Sequence, residues 1–323
     1  MSAFPPGDTL RLGISSCLLG NEVRFDGGHK RDGFLLGTVS EFVEWVPVCP
    51  EVEVGMGTPR EAVRLVGDPA APHMVGSRSG ADHTAAMRDF AGRRADELMS
   101  EGLDGFVLKK GSPTCGLERV RVYDDNDVPA SVGVGMFAAA LGRRLPLLPM
   151  EEEGRLNDPR LRENFFERVF ARRRWRAFLS GGPTPGGLVQ FHSDHKLTLL
   201  SHSRPHYEAL GRVVAGAGAA PDFTTVLDEY ERGLMEALAE RATVGRHVDV
   251  LQHLMGFLKE AASEERRRAL HVAIADYQAG LAPLIVPVTL LRHELSMHDT
   301  HEWVRRQVYL DPYPKELLLR NHV

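Results

Sequence analysis

Two kinds of apolar pattern divide the chain. Up to about residue 150, short apolar runs alternate with helical spacings. Leu10-Arg11-Leu12-Gly13-Ile14-Ser15 reads as a strand, and Val43 to Val48 as a second. Phe106 to Lys109 reads as a third, and Leu145-Pro146-Leu147-Leu148-Pro149 as a fourth. Between them, Ala81 to Glu101 carries apolar residues at helical spacing (Ala85, Met87, Phe90, Ala91, Leu98, Met99), and Val134 to Leu141 predicts another helix. Strand–helix alternation of this kind predicts a mostly parallel, Rossmann-like α/β sheet.

From Asp158 onward β-type alternation almost vanishes. Asp158-Pro159 supplies an N-cap and first helical residue for a helix to about Leu179. Gly181-Gly182-Pro183-Thr184-Pro185-Gly186-Gly187 reads as a loop. Helices then fit 193–216, 222–242, 246–262, 264–279 and 283–297. The expected organisation is an α/β domain over 1–152, a basic helix and Gly/Pro linker over 153–190, and an all-α helical domain over 191–323.

Composition adds bounds. A chain of 323 residues that is 43% hydrophobic and 26% charged has material for two cores. A net charge of −5 gives no global nucleic-acid signature, so such a partner would need a local patch. MSAFPPGDTLRLG lacks a basic region followed by an apolar stretch, and Leu281 to Leu291, broken by Pro283 and Pro287, is too short to span a bilayer. The expectation is a cytoplasmic protein with no membrane partner and no obligate protein partner indicated. Three widely separated cysteines argue against a disulfide framework.

Each cysteine follows a predicted strand: Cys17 in G-I-S-S-C-L-L-G, Cys49 in V-P-V-C-P-E, and Cys115 in K-K-G-S-P-T-C-G. In open α/β sheets the carboxyl ends of the strands share one edge, where ligands bind, so three distant thiols can converge. Three thiolates without a fourth would suit an iron–sulfur cluster with one iron open, whereas structural zinc takes four protein ligands. The bland reading is three small buried residues, with no compact CxxC spacing to contradict it.

Over residues 10–150 the chain resembles the TudS-like thiouracil desulfidase family. The resemblance is carried by S-S-C-L-L-G-N-E-V-R-F-D-G (Ser15–Gly27), V-C-P-E (Val48–Glu51) and K-K-G-S-P-T-C-G (Lys109–Gly116). It implies that Cys17, Cys49 and Cys115 hold a 4Fe–4S cluster whose fourth iron takes the sulfur of a thiolated pyrimidine. It also implies that Glu51 and Ser112 flank the substrate. From about residue 190 onward the chain resembles YbgA-type helical domains, through F-H-S-D-H-K, G-R-H-V-D-V-L-Q-H-L-M-G, P-L-I-V-P-V-T-L-L-R-H and Q-V-Y-L-D-P-Y-P. Asp249 stands where that family more often has Asn. The combination resembles the RudS-type tRNA 4-thiouridine desulfidases. It implies desulfidation of 4-thiouridine in tRNA, with RNA held by the helical domain. Two alternatives are a desulfidase of free thiouracil and a cluster-bearing RNA-binding or redox-sensing protein without turnover.

Exchange of C=S for C=O needs water attack at the ring carbon and a route out for sulfide. A Lewis-acidic iron and a nearby carboxylate such as Glu51 would meet those needs without net electron transfer. Ser112 and Thr114 offer hydroxyls for substrate or for cluster sulfur, with turn stabilisation an equally natural role. Arg24 and Asp26 read as nucleotide contacts or as an internal ion pair, and Lys109 and Lys110 as phosphate contacts or solvated lysines.

Between Arg155 and Arg176 stand eight arginines against Asp158, Glu163 and Glu167, a net +5 with Phe165, Phe166, Phe170 and Trp175 interleaved. Arg172, Arg173, Arg174 and Arg176, with Lys196 beyond them, are candidate RNA-backbone contacts; the alternative is a solvated helix face. His192, His195, His202, His206, His247 and His253 read as hydrogen-bonded buried histidines or phosphate contacts, and less readily as a metal site, because Pro205 interrupts the second pair.

Overall fold

The computed structural model describes residues 9–299 and 301–323. The leader expectation rests largely on residues 1–8, outside that range. The chain folds as two units, one ending at Leu161 and the other beginning at Arg162. From Arg162 on, the basic helix falls in the second unit.

The first unit is built on a four-stranded sheet of order β2-β1-β5-β8, made of β1 (Leu10–Ser15), β2 (Val43–Val48), β5 (Gly105–Leu108) and β8 (Met150–Glu152). All its pairings are parallel. β1 pairs β2 from Leu10↔Val43 to Ser15↔Val48, and pairs β5 from Leu12↔Gly105 to Ile14↔Val107. Leu10, Leu12 and Ile14 are fully buried, as are Phe106, Val107 and Leu108. Parallel strands covered on both faces carry such near-continuous apolar runs. Gly13 has no room for a side chain, because a Cβ there would lie 2.1 Å from the Phe106 ring. Helices α2 (Thr84–Ser100) and α3 (Met136–Arg144) pack together through Ala91, Ala95, Leu98, Phe137 and Leu141 in the same core.

Three local expectations change. The run 145–149 is a turn leading into β8. Pro146 and Pro149 supply no N–H to a ladder, while Leu148 still buries its side chain. A second sheet, order β4-β3-β6-β7, has no counterpart in the sequence reading. It joins β3 (Val63–Val66), β4 (His73–Gly76), β6 (Val120–Tyr123) and β7 (Pro129–Gly133), with only β3 and β6 parallel. These strands have four or five residues and bury one face through Leu65, Met74, Val120 and Val122 against Met87 and Phe90. Helix 193–216 divides into α5 (Pro185–His202) and α6 (Arg204–Gly216) at Ser203, where Pro205 cannot donate to a preceding turn. α1 is one turn, Pro50–Glu53.

The second unit is helical: α4 (Pro159–Ser180), α5, α6, α7 (Phe223–Ala239), α8 (Val244–Gly256), α9 (Glu264–Gln278), α10 (Ile285–Met297) and the short α11 (Glu302–Arg305). No helix among the described residues is long and apolar enough to cross a membrane.

Of the six histidines singled out in sequence, His192, His195, His202 and His247 are held by hydrogen bonds in the core, whereas His206 is half-buried against Ser203 and Glu240 and His253 is exposed. His192 Nδ1 meets the Tyr230 hydroxyl at 3.1 Å, and His247 Nδ1 meets the Tyr309 hydroxyl at 2.9 Å. His195 Nε2 accepts from Arg174 Nε at 3.2 Å, so its Nδ1 carries the proton donated to the Phe191 carbonyl at 2.8 Å. Burial pushes His192 down to about 4, and His195 and His247 down to about 3. His202 behaves oppositely: Glu167, at 2.9 Å, outweighs burial and raises it.

Between pH 4 and 6.5 an unfolded chain therefore holds protons on His192, His195 and His247 that the folded unit does not. Stability is present above about pH 6.5 and is lost as the pH falls toward 4. Urea unfolding at pH 5 is expected to take up about three protons at these side chains. The slope of unfolding free energy against pH measures this, and a flat slope between pH 4 and 6.5 would refute it.

Candidate active site

The parallel register places the carboxyl ends of β1, β2 and β5 side by side, and the segments leaving them line one cavity of about 340 Å³. Cys17, Cys49 and Cys115 all lie on its wall, as do Glu51, Ser112 and Thr114. No three His, Cys, Asp or Glu side chains among the described residues meet closely enough to share one ion, so the thiols border a space and not a point.

Each thiol is fixed by its backbone. Cys17 lies in a 3₁₀ turn, Ser16–Leu19, closed by Gly20 at φ 94°, and its carbonyl accepts from Gly20 N at 3.3 Å and Lys30 N at 2.9 Å. Cys49 caps α1; its N–H donates to Glu53 Oε1 at 2.7 Å, and the Glu53 N–H returns to the Cys49 carbonyl at 2.9 Å. Cys115 is held by Ser112, whose Oγ accepts from Cys115 N at 3.1 Å and Thr114 N at 3.2 Å. The first N–H groups of α3 close the same turn: Gly135 N meets Gly116 O at 2.7 Å, and Met136 N meets Pro113 O at 3.0 Å.

Burial pushes the Cys17 thiol up to about 11 and the Cys115 thiol up to about 12, and it raises Cys49. At Cys115 a hydrogen bond from the Ser15 hydroxyl opposes the shift, and at Cys17 the Lys109 charge does. The thiols are therefore protonated in the metal-free protein at neutral pH, and a metal would displace those protons on binding.

Glu51 is 13% exposed and held at both oxygens. Arg60 donates to Oε2 through Nε at 3.0 Å and also through Nη2. The Thr114 hydroxyl donates to Oε1 at 2.9 Å, and the Ser112 hydroxyl lies 2.9 Å from that of Thr114. With the Thr114 proton directed at Glu51, the Ser112 proton points to Thr114, giving one ordered chain, Ser112–Thr114–Glu51. Ser112 thus combines the turn role and the cavity role weighed from sequence.

Arg24 lies on the wall, and Asp26, its ion-pair partner at 3.5 Å, lies beyond the lining. The Asp26 carboxylate accepts from Gly28 N at 3.1 Å, which fixes the loop. Lys110 lines the cavity, as do Lys30 and Lys109. Lys109 is paired with Glu153, whereas Lys30 and Lys110 have no carboxylate partner among the described residues. Arg60 and Lys30 are the site residues that the sequence reading missed. Arg60 stands alone in Thr58-Pro59-Arg60, and no spacing or motif marks it.

The predicted RNA contacts occupy the helical unit. Arg172 pairs with Glu231 at 2.9 Å. Arg174 is turned inward, donating to His195 and, at 2.7 Å, to the Pro312 carbonyl. Arg173 and Arg176 are partly buried on α4, and Lys196 Nζ sits 5.3 Å from the Trp303 ring centre.

Residues 12–153 match the family model described as 2-thiouracil desulfurase, and residues 196–314 match a protein family of unknown function, DUF1722. The chain is 27% identical over 166 residues to the uncharacterized protein YbgA of Escherichia coli (strain K12), covering 51% of this chain and 98% of that protein. It is 31% identical over 108 residues to the uncharacterized protein YbbK of Bacillus subtilis (strain 168), covering 32% of this chain and 71% of that one. A solved structure described as the [4Fe-4S]-dependent thiouracil desulfidase TudS aligns at 31% identity and a TM-score of 0.38, covering 46% of this chain and 95% of its own.

The α3 contact makes Gly135 a sensitive position, since a Cβ there would lie 2.5 Å from the Thr114 carbonyl. Gly135→Ala is expected to cost about 1–3 kcal/mol through overpacking and to speed alkylation of Cys115 in the metal-free protein. A thermal midpoint and a labelling rate both equal to wild type would show that the turn has slack.

Proposed function

The chain belongs to the 2-thiouracil desulfurase family, and we propose that its cavity removes sulfur from a thiolated pyrimidine, with 4-thiouridine in tRNA as the substrate. The observation that carries the proposal is the placement of three thiols and one carboxylate held by Arg60 and Thr114 on a single cavity wall.

The donor set fits an iron–sulfur group. Three soft sulfur ligands come from three separate strand ends and face a common space larger than one ion. Cys17, Cys49 and Cys115 would hold a 4Fe–4S cluster. When bound, it would supply a Lewis-acidic iron for the substrate sulfur.

The protein's own residues supply the rest. The reaction is C=S plus water giving C=O plus hydrogen sulfide, so atoms balance and no electrons are gained or lost. Glu51, paired with Arg60, accepts a proton from the attacking water or passes one to the ring nitrogen. Thr114 holds its Oε1 in place, and Ser112 in turn fixes the Thr114 hydroxyl. Arg24, Lys30 and Lys110 give the cavity a cationic wall, which favours a phosphate-bearing nucleotide over a neutral free base.

Anaerobically reconstituted protein is expected to contain iron and acid-labile sulfide, and each of Cys17→Ser, Cys49→Ser and Cys115→Ser to lose them. It should release sulfide from thiolated tRNA, and Glu51→Ala should keep the cluster while losing turnover. A colourless protein holding stoichiometric zinc would reject the cluster. Sulfide from free 4-thiouracil alone would reject the tRNA substrate, and binding of tRNA without sulfide release would reject turnover. Full activity in Glu51→Ala would remove that carboxylate from the reaction.

A further inference from the structure

One guanidinium joins otherwise separate parts of the cavity wall. The Arg60 side chain is 6% exposed. Two of its donors reach Glu51 Oε2. Its Nη1 donates to the Val23 carbonyl at 3.0 Å and the Gly57 carbonyl at 2.9 Å. Its backbone N–H donates to the Phe25 carbonyl at 2.9 Å. The Val23 carbonyl also faces the Cys49 sulfur, 3.7 Å away. Arg60 thus ties the carboxylate that follows one cysteine to the loop that follows another and carries Arg24.

We propose that Arg60 is the positioning residue of this site, aiming Glu51 into the cavity and setting the height of the 23–25 loop above the thiols. The inference rests on the desulfidase reading. A lysine cannot reproduce the arrangement, because an ammonium is a point charge without the planar fork that serves Glu51 and two carbonyls at once. Thr114 holds only Oε1. Without Arg60 the carboxylate is free to swing about that single contact, and the loop loses its tie at Val23. Misplacement of a reacting group by about 1 Å can cost about 10²-fold in rate.

The test uses reconstituted Arg60→Ala, Arg60→Gln and Arg60→Lys proteins. Iron and sulfide contents equal to wild type establish that cluster and fold are retained. On thiolated tRNA, kcat should fall about 10- to 100-fold in the Ala and Gln variants, by a larger factor than KM rises. Lys should recover part of kcat, and added guanidinium ion should recover part of it in Arg60→Ala. Hydrogen exchange over residues 21–28 should accelerate in all three variants, a readout that does not depend on turnover. If Arg60→Ala does not fold, the Lys and Gln variants decide.

An active wild type whose Arg60 variants keep kcat would overturn the inference alone. So would variants that lose activity without guanidinium rescue and without faster exchange, because the loss would then not come from a missing tie. A wild type that releases no sulfide would reject the function. Faster exchange over 21–28 would then still report the structural tie.

Discussion

Strand β1 lies between β2 and β5, and the candidate site depends on that parallel pairing. The register aligns Ser15 with Val48 and Ile14 with Val107. A cysteine placed one or two residues beyond β1 or β2 therefore emerges at the same edge. Cys115 lies farther beyond β5, and the turn held by Ser112 and α3 brings it back to that edge. A slip of one residue in either pairing would move Leu12 or Phe106 to the opposite, differently packed face of the sheet and take the Phe106 ring away from Gly13, which leaves it room, so apolar packing and site geometry are enforced by the same contacts.

Around this edge the protein sets charges in a consistent way. The thiols are buried enough to stay protonated until a metal displaces the protons, while the only acid on the wall is held between a guanidinium and a hydroxyl. Lysines complete the wall. A soft-donor set, an oriented carboxylate and a cationic wall thus share one space.

The helical unit solves a different problem. Its residues bury a polar network in which Glu163 accepts from Tyr313 at 2.9 Å and Arg320 at 3.3 Å, while Glu167 holds His202. Buried charges need partners of this kind. Part of the arginine-rich helix is spent on such contacts, since Arg174 faces the core. Counting arginines along α4 therefore overstates the charge offered to a polyanion.

The first three strands of the parallel sheet, the placing of Cys17, Cys49 and Cys115 beyond their ends, and the change from α/β to all-α could be read from local pattern. Periodicity and strand-end loops are properties of contiguous residues. The second sheet escaped notice because its strands are short and half exposed, and the split at Ser203 because one proline cost outweighs a continuous apolar period. Glu51 was legible through its neighbours in V-C-P-E. Its partners were not: Arg60 is unremarkable in sequence, and the bond from Thr114 to Glu51 acquires meaning only when loops from different strand ends meet. Hydrogen-bond direction is set across the fold and leaves no trace in spacing. The sequence by itself thus determined which strand ends bear the cysteines, and only the tertiary structure decided how the side chains around them orient one another.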